Sequence, residues 1–211
     1  MRSPGRDLNL VRGLIYNEGI ISELDSIDTL TLDDNLAKIV LKDNSPYDPS
    51  EHNRNMMVTG SCGLCGRSSL HDHQPVDSND IFSQDQIHDM HALAKQKQRM
   101  FRETGGTHGA AAFNSKGDMI GCEEDVGRHN AMDKLTGYLL GESQAPSVCT
   151  LSGRISYELV QKAIRSGYCI LSAVGSATTL AIQLAREYDL TLVSFAREDR
   201  MTVLSAPRRI R

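Results

Sequence analysis

The chain has 211 residues, 39% of them hydrophobic and 24% charged, and its 23 lysines and arginines against 27 aspartates and glutamates leave a net charge of −4. That length buries a core without disulfide staples, with one domain the simpler expectation, and the acidic balance excludes a protein whose whole surface grips nucleic acid. Apolar runs such as Ala110-Ala111-Ala112-Phe113 fall far below the ~20 residues needed to span a bilayer, and no apolar h-region follows Met1-Arg2-Ser3-Pro4-Gly5, so the expectation is a cytoplasmic protein with no membrane and no nucleic-acid partner.

Residues 7–19 read as a short helix with Leu8, Leu10, Val11, Leu14 and Ile15 on its apolar side and Gly19 as its stop. Residues 30–41 carry a strand signal ending in Ile39-Val40-Leu41, before a turn-rich stretch at 43–49; residues 54–58 predict another short strand that runs into a glycine-rich loop at 59–68. Residues 78–103 are polar and helix-favouring, with Ile81, Ile87, Met90, Leu93, Ala94 and Met100 at roughly helical spacing, and Thr104-Gly105-Gly106-Thr107-His108-Gly109 breaks them. Two strands, 110–113 and 119–122, pair around a turn at 115–118, and a helix over 126–140 buries Met132, Leu135 and Leu139. Then come strand 147–151, helix 155–166 with Gly167 as its stop, strand 168–174, helix 177–188, strand 190–195 and a last strand near 201–204. Strands alternating with helices from about residue 145 onward predict βαβ units on a sheet covered by helices, an α/β fold.

Five cysteines cannot all pair within the chain, and a cytosolic thiol set is more often catalytic or metal-binding than structural. Cys149 and Cys169 lie in apolar strand patterns and are expected in the core, whereas Cys122 ends a strand just before Glu123-Glu124-Asp125. Cys62 and Cys65 form a Cys-X-X-Cys pair among Gly60, Gly63 and Gly66. Three chemistries use such a pair, with idle loop cysteines as the plain alternative. Half of a zinc site would need two more ligands, for which His71 and His73 lie downstream. Dithiol redox would want the motif to open a helix, which the glycines oppose; sulfur relay would have a thiolate accept persulfide sulfur on a loop able to reach two partners.

Residues 125–134 crowd Asp, Arg, His, Asn, Asp and Lys into one helix start, with Asp125 as its N-cap; His129 and Asp133, four apart, would let a carboxylate orient the imidazole. A capped helix with a surface histidine accounts for any one of these residues, while their density favours a polar site. Ser152-Gly153-Arg154-Ile155-Ser156-Tyr157-Glu158 and Gly175-Ser176-Ala177-Thr178-Thr179 fall where strands give way to helices. Open α/β sheets collect ligands there, and free N–H groups favour phosphate, although glycine and serine are also ordinary cap residues. Residues 195–211 hold five arginines against Glu198 and Asp199, a local +3. Arg197 and Arg200, at the strand end, are the better candidates for a phosphate-bearing ligand, because arginine offers paired donors to phosphate oxygens; Arg208, Arg209 and Arg211 read equally well as a solvated tail.

Taken together, these blocks resemble those of the formate dehydrogenase accessory sulfurtransferases, the FdhD family. The resemblance runs in family order through Ser3-Pro4-Gly5-Arg6-Asp7-Leu8, Asn17-Glu18-Gly19-Ile20-Ile21, Thr59-Gly60-Ser61-Cys62-Gly63-Leu64-Cys65-Gly66 and Thr104-Gly105-Gly106-Thr107-His108-Gly109-Ala110. It continues through Asp125-Val126-Gly127-Arg128-His129-Asn130-Ala131, Ser152-Gly153-Arg154, Val174-Gly175-Ser176 and Phe195-Ala196-Arg197. It implies a cytidine-deaminase-like fold, a three-layer mixed sheet flanked by helices, in a homodimer. It also implies a job: to take persulfide sulfur from a cysteine desulfurase and pass it to the molybdenum or tungsten bis-pterin guanine dinucleotide cofactor (bis-molybdopterin guanine dinucleotide) needed by formate dehydrogenase. On this resemblance Cys62 carries the persulfide and Cys65 assists. The cofactor-binding segment maps onto Phe195, Ala196, Arg197, Glu198, Asp199 and Arg200, and Gly175, Ser176, Arg154 and His129 join it as a strand-end site with phosphate chemistry; no metal ligands are assigned. Residues 1–58 would form an N-terminal helix and strands, shorter than the family's own N-terminal region, 59–78 the Cys-X-X-Cys loop and 79–211 the α/β core, as one compact unit.

Two rivals stand beside this reading. A zinc deaminase needs His-X-Glu followed by Pro-Cys-X-X-Cys; here Gly109-Ala110 follow His108, Ser61 precedes Cys62, and the cysteines come before the histidine. A cofactor-binding chaperone would keep the arginines and glycine turns while leaving Cys62 without a role.

Overall fold

The computed structural model describes residues 1–34, 36–43, 47, 73–197 and 200–211. The predicted strand at 54–58 and the cysteine loop lie outside the described residues, as do Glu198 and Asp199.

Where apolar residues recur at helical spacing, helices form: α1 (Asp7–Asn17), α2 (Gln84–Lys97), α3 (Arg99–Thr104), α4 (Arg128–Glu142), α5 (Tyr157–Arg165) and α6 (Thr179–Glu187). The strands are β1 (Ile27–Asp33), β2 (Leu36–Leu41), β3 (His108–Phe113), β4 (Met119–Asp125), β5 (Val148–Leu151), β6 (Ile170–Ala173), β7 (Thr191–Arg197) and β8 (Arg200–Ser205). β1 and β2 pair as a separate antiparallel hairpin, so the single strand signal at 30–41 resolves into two strands. The others form one six-stranded sheet in the order β4-β3-β5-β6-β7-β8. β5, β6 and β7 run parallel, and antiparallel partners complete both flanks. Among the described residues no helix is long and apolar enough to cross a membrane.

The four-residue strands β5 and β6 are buried at every position, which is why they read as apolar runs without alternation. One face of the sheet, with Ala110, Ala112, Cys149, Leu151, Leu171 and Leu192, packs on Met132, Leu135 and Leu139 of α4, Leu159 and Val160 of α5, and Ala181 and Leu184 of α6. The other, with Ala111, Phe113, Val148, Ile170 and Val193, packs on Ile87, Met90 and Ala94 of α2. The predicted mixed α/β sheet between helix layers is present.

Several local expectations are corrected. The 78–103 stretch is not one helix. Its first residues are not helical, with Phe82 bridged to Ile210; α2 starts only at a capping box between Ser83 and Gln86, and Gln98 separates it from α3. Asp125 is not the N-cap of α4: Gly127 holds that position, and Asp125 ends β4 fully buried. The buried face of α1 is Gly13, Ile15 and Asn17, while Leu8 and Leu14 are exposed. The reason is close approach. A Cβ on Gly13 would fall 1.8 Å from Asp133 O, and one on Gly137 would fall 1.9 Å from Asn9 O, so α1 and α4 cross with backbone against backbone. Finally, Arg209 is no tail residue. It is 1% exposed, donates to Ser78 O, Val76 O, Asp189 O and Thr191 Oγ1, and pairs with Asp189, tying the C-terminus to the 76–82 segment.

Candidate functional site

Strand direction decides where the polar blocks meet. β4, β5, β6 and β7 all end, and β3 and β8 both begin, at one end of the sheet: His108 pairs with Asp125, Ala110 with Leu151, Leu151 with Ala173, and Arg197 with Arg200. Blocks separated by up to about ninety residues of chain thus share one edge, the place where open α/β sheets bind ligands.

Two glycines let the turns there nest. Gly175 N–H donates to Gly153 O at 3.1 Å, and a Cβ at 175 would sit 2.7 Å from that same oxygen. A Cβ at 153 would meet the His108 ring at 3.0 Å, so His108 lies directly over this turn. Ile155 N–H donates to Ser176 O at 2.9 Å, locking the turn after β5 to the turn after β6, and Ser152 Oγ accepts from Gly109 N–H at 2.9 Å. Further along, Phe195 N–H donates to Gly175 O at 3.2 Å. Phe195 has φ +55°, a left-handed backbone that a bulky residue rarely adopts, and the β7–β8 register shifts beside it. As a result Phe195 is 44% exposed while Ala196 turns into the core.

α4 enters from the other side and brings Arg128 and His129 in its first turn. The carboxylate that holds His129 is not Asp133, which is buried against Lys162 Nζ at 2.6 Å and Asn17 Nδ2 at 2.7 Å. It is Glu158, in the first turn of α5, at 2.8 Å from His129 Nε2, with Ser156 Oγ at 3.0 Å from the same nitrogen. The hydrogen bond to His129 comes first among the causes that keep Glu158 below the usual carboxylate range. His108 is lowered, by burial first and then by the charges of Arg128, Arg154 and His129, so it is neutral at neutral pH. Arg128 Nε is buried with no hydrogen-bond partner. Among the described residues, a chain of net charge −4 has therefore gathered Arg128, Arg154, His108 and His129 around Glu158 at the sheet edge, a grouping whose arginines suit an anion.

Of the site residues expected from sequence, Gly175, Ser176, Arg154, His129, Phe195 and Ala196 come together here, with Arg197 and Arg200 paired at the far end of the same edge. Cys62, Cys65, Glu198 and Asp199 lie outside the described residues. Arg128 and Glu158 fall inside polar blocks that the sequence marks, at 125–134 and 152–158, without a role of their own there, and His108 stands in the 104–110 turn and as a zinc-ligand candidate. The available signal was position: His108 opens a strand, while Arg128 and Glu158 each sit in the first turn of a helix beyond a strand end.

The three described cysteines are poor nucleophiles. Burial pushes the Cys122 thiol up to about 12, with Glu124 and Glu123 adding to the shift. Cys149, 0% exposed, is raised by burial, and so is Cys169, whose Sγ lies 3.2 Å from Ser147 O. Only a thiolate reacts at a useful rate. Brief iodoacetamide treatment of the native protein at pH 7.5 is therefore expected to leave Cys122, Cys149 and Cys169 unmodified, read by peptide mapping. Labelling of Cys122 at the rate of a free thiol would refute its half-buried, carboxylate-flanked setting.

The arrangement defines an α/β protein with a cluster of arginines and histidines at the strand ends. The FdhD/NarQ family profile matches residues 1–211. The chain is 37% identical over 214 residues to a protein of Sulfurisphaera tokodaii named sulfur carrier protein FdhD, covering all of this chain and 82% of that one. It is 35% identical to a protein of the same name from Nocardia farcinica, covering 100% of this chain and 81% of the relative. In three dimensions it matches the crystal structure of a protein described as a formate dehydrogenase accessory protein from Desulfotalea psychrophila, with a TM-score of 0.78 and 22% identity over the whole chain and 82% of that structure. The chain belongs to the FdhD/NarQ family.

Proposed function

We propose that this protein is a sulfur carrier that serves formate dehydrogenase. Cys62 accepts persulfide sulfur from a cysteine desulfurase, and the sulfur passes to a molybdenum (or tungsten) bis-pterin guanine dinucleotide held at the strand-end site. The observation that carries the reading is the thiol inventory. Relatives are named sulfur carrier proteins, three of the five thiols are suppressed by burial, and Cys62 and Cys65 remain.

In the loading step the Cys62 thiolate attacks the outer sulfur of the donor persulfide. The donor S–S bond breaks, its electron pair leaves on the desulfurase cysteine, and a persulfide anion remains on Cys62. Cys65, the other thiol of the Cys-X-X-Cys pair, assists. The acceptor is a substrate with phosphates and flat hydrogen-bonding rings. Arg128, with its uncommitted Nε, and Arg154 suit the phosphates, while the outward Phe195 ring, kept in a strained backbone, suits stacking on a flat ring system. Chain length allows the two halves to meet. The eleven peptide steps from Cys65 to Val76 could reach at most about 38 Å, against about 23 Å for the seven-residue β7. The protein acts in the cytoplasm as a homodimer on this reading.

Incubation with a cysteine desulfurase and cysteine is expected to add a reducible adduct of about 32 Da, the mass of one sulfur, mapped to the Cys62–Cys65 peptide. No adduct on that peptide would sink the proposal. The cationic edge by itself also supports a cofactor-binding chaperone without sulfur transfer. Cys62→Ala separates the two, because a chaperone variant still matures formate dehydrogenase, whereas a carrier variant yields enzyme that contains cofactor and is inactive.

A further inference from the structure

Among the described residues Glu158 is the carboxylate in contact with the cationic cluster, and it is not the direct partner of the buried lysine beside it. Asp133, not Glu158, holds the buried Lys162, and the guanidinium of Arg128 is left with a free buried Nε although Glu158 lies close enough to feel its charge. Glu158 instead reaches His129 Nε2 at 2.8 Å from a side chain that is 40% exposed at the mouth of the site. Ser156, the N-cap of α5, makes no capping bond; its hydroxyl joins the same imidazole. A negative group is thereby fixed against His129 and within reach of the charge of Arg128.

We propose that Glu158 is a selectivity residue that occupies the anion position of the ligand-free site. It weakens the binding of free phosphate and pyrophosphate, which must displace it from His129 to bind, and costs least to a ligand whose other contacts, on the glycine turns and Phe195, offset that displacement. The inference rests on the sulfur-carrier reading only in taking this edge as the acceptor's binding site. A simple anion meets Arg128, Arg154 and His129 with a like charge already in place. A dinucleotide brings ring surface and several hydrogen-bonding groups, so one unfavourable charge contact weighs less against the total.

The test is calorimetric titration of the full chain with pyrophosphate at fixed ionic strength, wild type against Glu158→Gln. Removing one charge a few ångströms from the anion is expected to tighten pyrophosphate roughly tenfold. Equal or weaker binding by Glu158→Gln would overturn the proposal and leave Glu158 as a support for His129. Should that variant fail to fold, the wild type still decides the matter: saturating pyrophosphate is expected to shift the ring-nitrogen resonances of His129 as its carboxylate contact breaks, and unmoved resonances overturn the proposal. Persulfide loading of Cys62 is read separately by mass. Absent loading with tighter pyrophosphate binding removes the carrier reading alone; normal loading with unchanged binding removes this inference alone.

Discussion

Alanine at position 137 is expected to lower the melting temperature by about 10 °C, although alanine is the better helix former by about 1 kcal/mol. The new Cβ would lie 1.9 Å from Asn9 O and 2.8 Å from Gly13 N, both backbone atoms of α1, so no side-chain rotation relieves the contact. α1 must move outward by more than 1 Å. That loosens the Asn17 Nδ2 bond to Asp133 Oδ1 at 2.7 Å and the Arg165 Nε bond to Tyr16 O at 2.6 Å, both of which depend on the crossing. Overpacking with lost hydrogen bonds costs about 3 kcal/mol here. Gly141, one turn further along α4, is the internal control. Its Cβ would meet only the movable guanidinium of Arg12 at 3.3 Å, so Gly141→Ala should leave stability unchanged or raise it slightly. Thermal unfolding followed by circular dichroism makes the comparison, and equal melting temperatures for the two variants would mean that the helices do not meet at Gly137.

The second large effect concerns the charge pair behind the site. Asp125 and Lys134 are 0% and 1% exposed and 2.8 Å apart. Asp125 also accepts from Ser3 N–H and Gly127 N–H at 2.9 Å and Asn130 Nδ2 at 3.0 Å, and Lys134 donates to Ser3 O. Burial works to raise the Asp125 carboxyl, but the bonds from Lys134, Gly127, Ser3 and Asn130 outweigh it and the net shift is downward. Lys134→Met strands a carboxylate in the interior and is expected to cost about 3–5 kcal/mol at neutral pH. The sign with pH follows from the direction of the shift. A carboxyl held below its unfolded value adds stability above that value, near pH 4, and the contribution disappears as pH falls through the lower folded value. The gap between wild type and Lys134→Met should therefore be widest above pH 5 and narrow below pH 4. The double variant Asp125→Asn/Lys134→Met should recover part of the loss, because it removes the stranded charge. Urea unfolding from pH 3 to 7 measures both, and a gap that is constant across that range would contradict the pairing. The same variant should weaken ligand binding, since Asp125 and its donors set the entry of α4 that carries Arg128 and His129.

Chain order and residue type, without any coordinates, determined the alternation of strands and helices after residue 145, the pairing of β3 with β4, the burial of Cys149 and Cys169, and the polar blocks beyond the strand ends. These follow from local rules: apolar runs, helical spacing and turn residues depend on neighbours within a few positions. The buried face of α1 could not be read that way. Hydropathy weighs side chains, and at Gly13 the contact is made by their absence. Nor could Arg209 be told from its neighbours Arg208 and Arg211, because its burial depends on carbonyls more than a hundred residues away at Ser78 and Val76. The partner of His129 was sought in its own helix at Asp133, where spacing i, i+4 allows it. The fold instead spends Asp133 on Lys162 and brings Glu158 across from α5, since only the tertiary packing of α4 beside α5 decides which of two carboxylates faces the imidazole. Sequence thus named polar blocks, and the strand ends, by aligning distant turns on one edge, decided which of their residues stand together.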